Sequence, residues 1–374
     1  MFLLLFLLPV PAAFSQGAAG SASFHQINLR IDGEAEMYPV THLDSAGKKG
    51  SRALLYELQL VNFYPDMRLA VSAVEVYSGG SAGELLFRLE KDELKGCLWN
   101  PYTNNRYNIR PWPMLYMWIS LLPGSRVPDS LYHRVVFISD GGAEKAVEGG
   151  SVRVDKSSPA VLGGPVMGGR WWAWHAPSNL ADNHHRHGLF NIDGLVMCHP
   201  ERSAIDFMKL GPDGSIFKND GAKNEDFYCY GEKLVAAADS TVLEARGDLP
   251  ENTLGHAPEP NLETLCGNYV VLDLGNGLFA LYAHLKKGTL RVSPGQKVKK
   301  GEVLGLLGNS GNSDCPHLHF QVANNRSITR AEGLPYAFEA FTCQGSKYEF
   351  GPWESTGSEN RIREIPCDRE VVTF

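Results

Sequence analysis

The chain has 374 residues, too long for one compact core and enough for roughly two domains of ~150 residues. With 43% hydrophobic and 21% charged residues it lies outside the compositional range of disordered chains. Lysine and arginine number 35 against 42 acidic residues, a net charge of −7 with no basic block, which argues against a nucleic-acid partner.

Met1 to Phe14 is an apolar run broken by Pro9 and Pro11 and followed by small and polar residues. It reads as a signal peptide over residues 1–15, because a membrane-spanning helix needs ~20 apolar residues. No later stretch is long and apolar enough to span, so the mature protein is expected to be exported. From 24 to 160 the pattern is that of half-buried strands. Tyr56, Leu58 and Leu60 alternate with Glu57 and Gln59, and further strand-like runs cover Leu69 to Tyr77, Leu85 to Leu89, Met114 to Leu122 and Leu131 to Ser139. Short strands at this spacing predict a β-sandwich-like domain, in which His133 is a structural residue rather than a ligand.

Residues 161–200 are rich in Gly, Trp and His and read as a linker. Trp171, Trp172 and Trp174 are expected to pack the sandwich against the next unit of the chain. His184, His185 and His187 form a local cluster, and His185 and His187 would share a face if this segment were extended. A second β-rich unit occupies 201–345. Val270 to Leu274, the turn Gly275-Asn276-Gly277 and Leu278 to His284 predict a hairpin, and the Gly-rich series around Val292, Val298 and Val303 predicts short strands and tight turns. Residues 346–374 read as a polar tail. The seven cysteines have no C-x-x-C spacing, which argues against a thiolate zinc site, and their pairing cannot be read from the sequence.

Chemistry concentrates in the second unit. In Pro316-His317-Leu318-His319-Phe320 the two histidines lie two apart, so in a strand they project side by side while Leu318 and Phe320 face the core. His284 ends the hairpin strand, where it can overhang a groove. Asp206 is a lone acid between Ile205 and Phe207, and a buried acid is rare unless paired or bound to a metal.

Taken in order, Ile-Asp-Phe at 205–207, Gly-Asn-Tyr-Val-Val-Leu-Asp-Leu-Gly-Asn-Gly at 267–277, Tyr-Ala-His-Leu at 282–285, the Val-Ser-Pro-Gly-Gln-Lys-Val-Lys-Lys-Gly-Glu-Val-Leu-Gly stretch and Pro-His-Leu-His-Phe resemble the M23 family of zinc metallopeptidases, the LytM or lysostaphin type. The resemblance covers roughly 201–324 and implies a small, mostly antiparallel β-fold, one Zn2+ and hydrolysis of peptide bonds in bacterial cell-wall peptidoglycan. It implies that Asp206 and His319 are zinc ligands and that His284 and His317 are the non-ligand catalytic histidines. The family has a histidine four residues before its aspartate, where this chain has Arg202. A guanidinium has no lone pair for a metal, and catalytic zinc usually has three protein ligands. His184, His185, His187 and His199 are the nearest substitutes, and His185 is the favoured third ligand.

The whole is therefore expected to be mainly β, an N-terminal β-sandwich-like domain followed by an M23-type β-fold, acting as an exported zinc endopeptidase in the periplasm or cell envelope of a bacterium. Two other readings stand beside it. One is a degenerate module that binds cell wall or activates a separate amidase, which Arg202 would favour. The other is a lipoyl or biotinyl carrier, which would need a lysine at the hairpin tip where this chain has Asn276.

Overall fold

The computed structural model describes 27–30, 35–39, 52–62, 69–90, 94, 98–99, 114–121, 126–139, 142–178 and most of 180–374, with breaks at 181, 189, 193–195, 257, 259–260, 328–329 and 349–350. The apolar leader expected over 1–15 lies outside the described residues. Among those residues no helix is long and apolar enough to cross a membrane.

Among the described residues nine strands make the N-terminal sheet: β1 (Ile27–Arg30), β2 (Ala35–Pro39), β3 (Arg52–Asn62), β4 (Leu69–Ser78), β5 (Leu85–Glu90), β6 (Leu98–Trp99), β7 (Met114–Leu121), β8 (Ser130–Ser139) and β9 (Glu144–Asp155). Their order is β5-β4-β8-β9-β2-β3-β7-β6, with β1 also on β3. The β2–β9 pairing is parallel and joins two antiparallel halves. Those halves fold over one core, in which Leu54, Tyr56 and Leu58 of β3 meet Val74, Val135 and Phe137. This is the sandwich-like unit that alternation predicts. His133 is structural within it. Its Nδ1–H donates to the Gly150 carbonyl at 2.8 Å, and its Nε2 accepts from the Tyr56 hydroxyl at 2.7 Å. Gly150 offers that carbonyl from a bulge between β8 and β9, where its φ of 57° needs a residue without a Cβ.

The remaining strands are β10 (Ala160–Leu162), β11 (Arg170–Trp174), β12 (Phe190–Ile192), β13 (Val196–Cys198), β14 (Ile205–Leu210), β15 (Lys233–Val235), β16 (Ser240–Arg246), β17 (Asn268–Gly275), β18 (Leu278–Leu285), β19 (Lys297–Val298), β20 (Val303–Leu306), β21 (Leu318–Ala323), β22 (Tyr336–Lys347), β23 (Trp353–Glu364) and β24 (Glu370–Thr373). Eleven of them form one sheet, ordered β10-β22-β24-β11-β14-β21-β18-β17-β16-β19, with β23 on β22. The hairpin expected around Asn276 is β17–β18. The stretch expected as a linker supplies β11, which runs between β24 and β14, and the stretch expected as a tail supplies β23 and β24. Gly- and His-rich flanks hid the first, and polar composition hid the second. Strand β23 is exposed along most of its length and lacks an apolar run, yet Val371 and Val372 of β24 are fully buried.

Trp171, Trp172, Phe207, Tyr282, Phe320 and Phe338 fill the core of the large sheet. Ala53 and Leu55 of β3 belong to the same core. Strand β3 is thus buried on both faces, Leu54, Tyr56 and Leu58 inward and Ala53 and Leu55 towards the second sheet. Glu57 lies on that second face. Alternation alone would leave it in water, but the second sheet covers it and it is 7% exposed.

Candidate metal centre

Four neighbouring strands assemble the site. Trp174 of β11 pairs with Asp206 of β14, Asp206 with His319 of β21, and Ala283 of β18 with His319. Residues directly opposite in paired strands share a face, so Asp206 and His319 project together. His175 and His284 each come one residue after that row, and a regular strand would turn them to the other face. Both have left-handed φ angles, 53° and 64°, and the β17–β18 register slips beside His284. Such bulges re-aim side chains next to functional sites.

His185 arrives differently from expectation. Its segment is a single 3-10 turn over His184–His187 rather than a strand. Asn183 caps this turn by accepting from the His185 backbone N–H at 3.1 Å, and its side-chain amide donates to the Ala176 carbonyl at 2.7 Å. That brings the His185 ring to Asp206 and His319.

The two rings and the carboxylate meet with their acceptors inward. His185 Nδ1–H donates to the His175 carbonyl at 2.8 Å, leaving the Nε2 lone pair free. His319 Nε2–H donates to Gln321 Oε1 at 2.8 Å, leaving the Nδ1 lone pair. These two nitrogens are 3.2 Å apart, and Asp206 Oδ1 lies 3.3 Å from the first and 3.1 Å from the second. Three acceptors this close repel one another unless a cation or a proton lies among them. Ligands ~2.0–2.1 Å from a tetrahedral zinc are about 3.3 Å apart, so the donor set and its spacing fit such an ion. Burial disfavours a charged His185 ring, but the Asp206 carboxylate outweighs it and raises the pKa to about 9. Burial likewise pushes Asp206 up, and the imidazoles of His185 and His317 overcome it, holding the carboxyl well below its usual range.

His284 and His317 flank this group, their ring centres 4.7 Å apart. Each donates Nδ1–H to a backbone carbonyl, of Ser310 at 2.7 Å and Cys315 at 2.9 Å, so Nε2 is the nitrogen left for chemistry. His317 Nε2 is 3.6 Å from Asp206 Oδ1. Burial, followed by the neighbouring imidazoles, lowers His284 well below 6.5, and burial lowers His317 as well. Both rings are therefore neutral at pH 7 and able to take a proton. They line a cavity of about 450 Å³ together with Trp174, His184, Glu201 and His319.

Arg202 is not at the centre. Its guanidinium binds Glu57 through both carboxylate oxygens and also reaches Glu332. His199 is likewise engaged elsewhere, between Glu57 Oε1 at 2.6 Å and the His185 carbonyl at 2.7 Å. The expected residues Asp206, His319, His185, His284 and His317 come together. The side chain of His187 lies outside the described residues. Sequence reasoning missed His175, Glu57 and Gln321. Only Gln321 carried a signal, since it continues the same-face alternation of His317 and His319.

The description of peptidase family M23 matches residues 223–330, a span that contains His284, His317 and His319. Asp206 and His185 lie upstream of the matched span. Over 56 residues the chain is 46% identical to the peptidoglycan DD-endopeptidase ShyA of Vibrio cholerae, covering 15% of this chain and 13% of that protein. It is 40% identical over 73 residues to ShyB of the same organism, another peptidoglycan DD-endopeptidase, covering 19% and 17%. The aligned stretches thus span less than a fifth of these relatives' lengths. Among solved structures it is similar to a zinc-containing peptidase from Vibrio cholerae, with 13% identity, 80% of this chain and 86% of that chain covered, and a TM-score of 0.24.

Proposed function

We propose that this protein is an exported, zinc-dependent endopeptidase of bacterial cell-wall peptidoglycan, with His185, Asp206 and His319 as the zinc ligands. The observation that carries the reading is the triangle of three inward acceptors beside two neutral histidines in an open cavity. A zinc ion bound there supplies Lewis acidity, lowering the pKa of a water and polarising a scissile carbonyl. The chain's own groups do the rest. Neutral Nε2 of His284 and of His317 can accept a proton and return it to a leaving amine, which is general acid–base work. Their Nδ1–H bonds to Ser310 and Cys315 fix ring orientation, and Gln321 and the His175 carbonyl do the same for the two imidazole ligands.

The degenerate reading rested on Arg202. A guanidinium held by Glu57 and Glu332 has a structural task of its own, and His185 restores the three-ligand count. The test is zinc content and peptide release from purified peptidoglycan for the full chain and for Asp206→Ala, His319→Ala and His185→Ala. Each variant should lose both. Stoichiometric zinc that persists in Asp206→Ala and His319→Ala, or a zinc-loaded wild type that leaves cell-wall peptides intact, overturns the proposal.

A further inference from the structure

Asp206 has a second face. Its Oδ1 serves the His185–His319 group, but Oδ2 is buried and has no hydrogen-bond partner. The side chain is 0% exposed, so water cannot satisfy that oxygen, and an unpartnered buried carboxylate oxygen is costly. Two imidazoles face it, His184 with Nε2 at 3.4 Å and His175 with Nδ1 at 3.8 Å. His175 Nδ1 is itself buried without a hydrogen-bond partner, on a residue 5% exposed. One ligand atom from each of the three residues lies within 4.8 Å of the other two.

The backbone sets this arrangement apart from the rest of the strand. β11 ends at Trp174, opposite Asp206, and the left-handed φ of His175 turns its ring back to the carboxylate. Trp174 stacks on that ring with centres 3.9 Å apart, and His184 meets it edge-on at 4.2 Å. Two buried polar atoms without partners, the His175 nitrogen and Asp206 Oδ2, lie beside a second imidazole nitrogen, that of His184, and together make a cation's donor set. Imidazole with one carboxylate suits zinc and its neighbours among divalent ions.

We propose that His175, His184 and Asp206 Oδ2 form a second divalent-cation site, weaker than the first, with the Asp206 carboxylate bridging the two. The inference rests on the assignment of Asp206 to the first site made above. Its lower affinity follows from wider spacing, from sharing one carboxylate charge between two cations, and from the 53% exposure of the His184 side chain. Bridged pairs of this kind are a known catalytic arrangement, and His184 also lines the cavity, so the second cation would sit where substrate enters.

The experiment is a zinc titration of the metal-stripped full chain against competing chromophoric chelators, repeated with cobalt to read the absorption of each equivalent. The wild type should take up two equivalents, the second more weakly. His184→Ala and His175→Ala should each lose the second equivalent and keep the first, whereas His319→Ala should lose the tight one. His184 is half exposed, so its variant carries the test even if His175→Ala fails to fold. A wild type that binds one equivalent, lost in His319→Ala, overturns this proposal and leaves the first site standing. A second equivalent that survives in His184→Ala also overturns it. Wild type that binds no zinc overturns both readings.

Discussion

Glu57 on strand β3 of the N-terminal sheet grips Arg202 of the large sheet with both carboxylate oxygens, Nε to Oε1 at 2.9 Å and Nη2 to Oε2 at 2.6 Å. The same carboxylate receives His199 Nδ1–H, and the other nitrogen of that ring reaches the carbonyl of His185. Burial pushes the Glu57 pKa up, but Arg202 and then His199 overcome it and hold the carboxyl far below its usual range. The first sheet is therefore tied, through two side chains, to the backbone of the proposed third ligand.

Removing one partner of that buried pair should be expensive. Glu57→Ala removes the carboxylate that holds the Arg202 guanidinium through both oxygens and is expected to destabilise the protein by about 3 kcal/mol, read by urea denaturation. Arg202→His, which supplies the histidine that the M23 resemblance implies for this position, should be similarly destabilised and should not raise zinc affinity. A gain in zinc affinity for Arg202→His would mean that position 202 can reach the metal.

Gln321→Leu keeps the size of a fully packed side chain but removes the acceptor for His319 Nε2–H. Losing such a partner typically costs ~10–100-fold in metal affinity. Chelator competition should show this weakening with the thermal midpoint little changed. Unaltered affinity would show that the Gln321 contact does not set the orientation of the His319 ring.

His284→Ala and His317→Ala are expected to keep zinc and to lower peptidoglycan turnover by ~10²-fold or more. Zinc content and product release measured on the same preparation separate the two roles. Loss of metal in either variant would make that histidine a ligand.

A fourth expectation concerns pH and the N-terminal sheet. Burial lowers His133 from 6.5 to about 4. As pH falls the unfolded chain takes up this proton first, so the contribution is complete above about pH 6.5 and is lost on the way down to pH 4. Between pH 7.5 and 5 the loss is about 2 kcal/mol. Urea denaturation of the wild type should show this slope, and His133→Leu should flatten it. An equal slope in the variant would assign the pH dependence to other groups.

Much of the architecture was legible in the order of residues alone. The alternation of Tyr56 and Leu58, the Asn276 turn and the His317–His319 pair are local signals, because strand geometry repeats every two residues and a tight turn needs particular residues. The same locality explains what was misread. The 161–200 stretch has the composition of a loop, and nothing within it reveals that Trp171 and Trp172 will be walled in by strands more than thirty residues away.

The sequence by itself determined the β-rich class, the hairpin, the M23 resemblance and four of the residues that meet at the candidate centre, since each rests on neighbours along the chain. Tertiary structure alone decided the rest. A capped 3-10 turn, not a strand, delivers His185 to Asp206, two left-handed residues re-aim His175 and His284, and a second sheet covers Glu57 so that Arg202 finds a partner there. Backbone reversals and long-range burial of charge depend on what packs against a segment, and that information is spread over the whole chain.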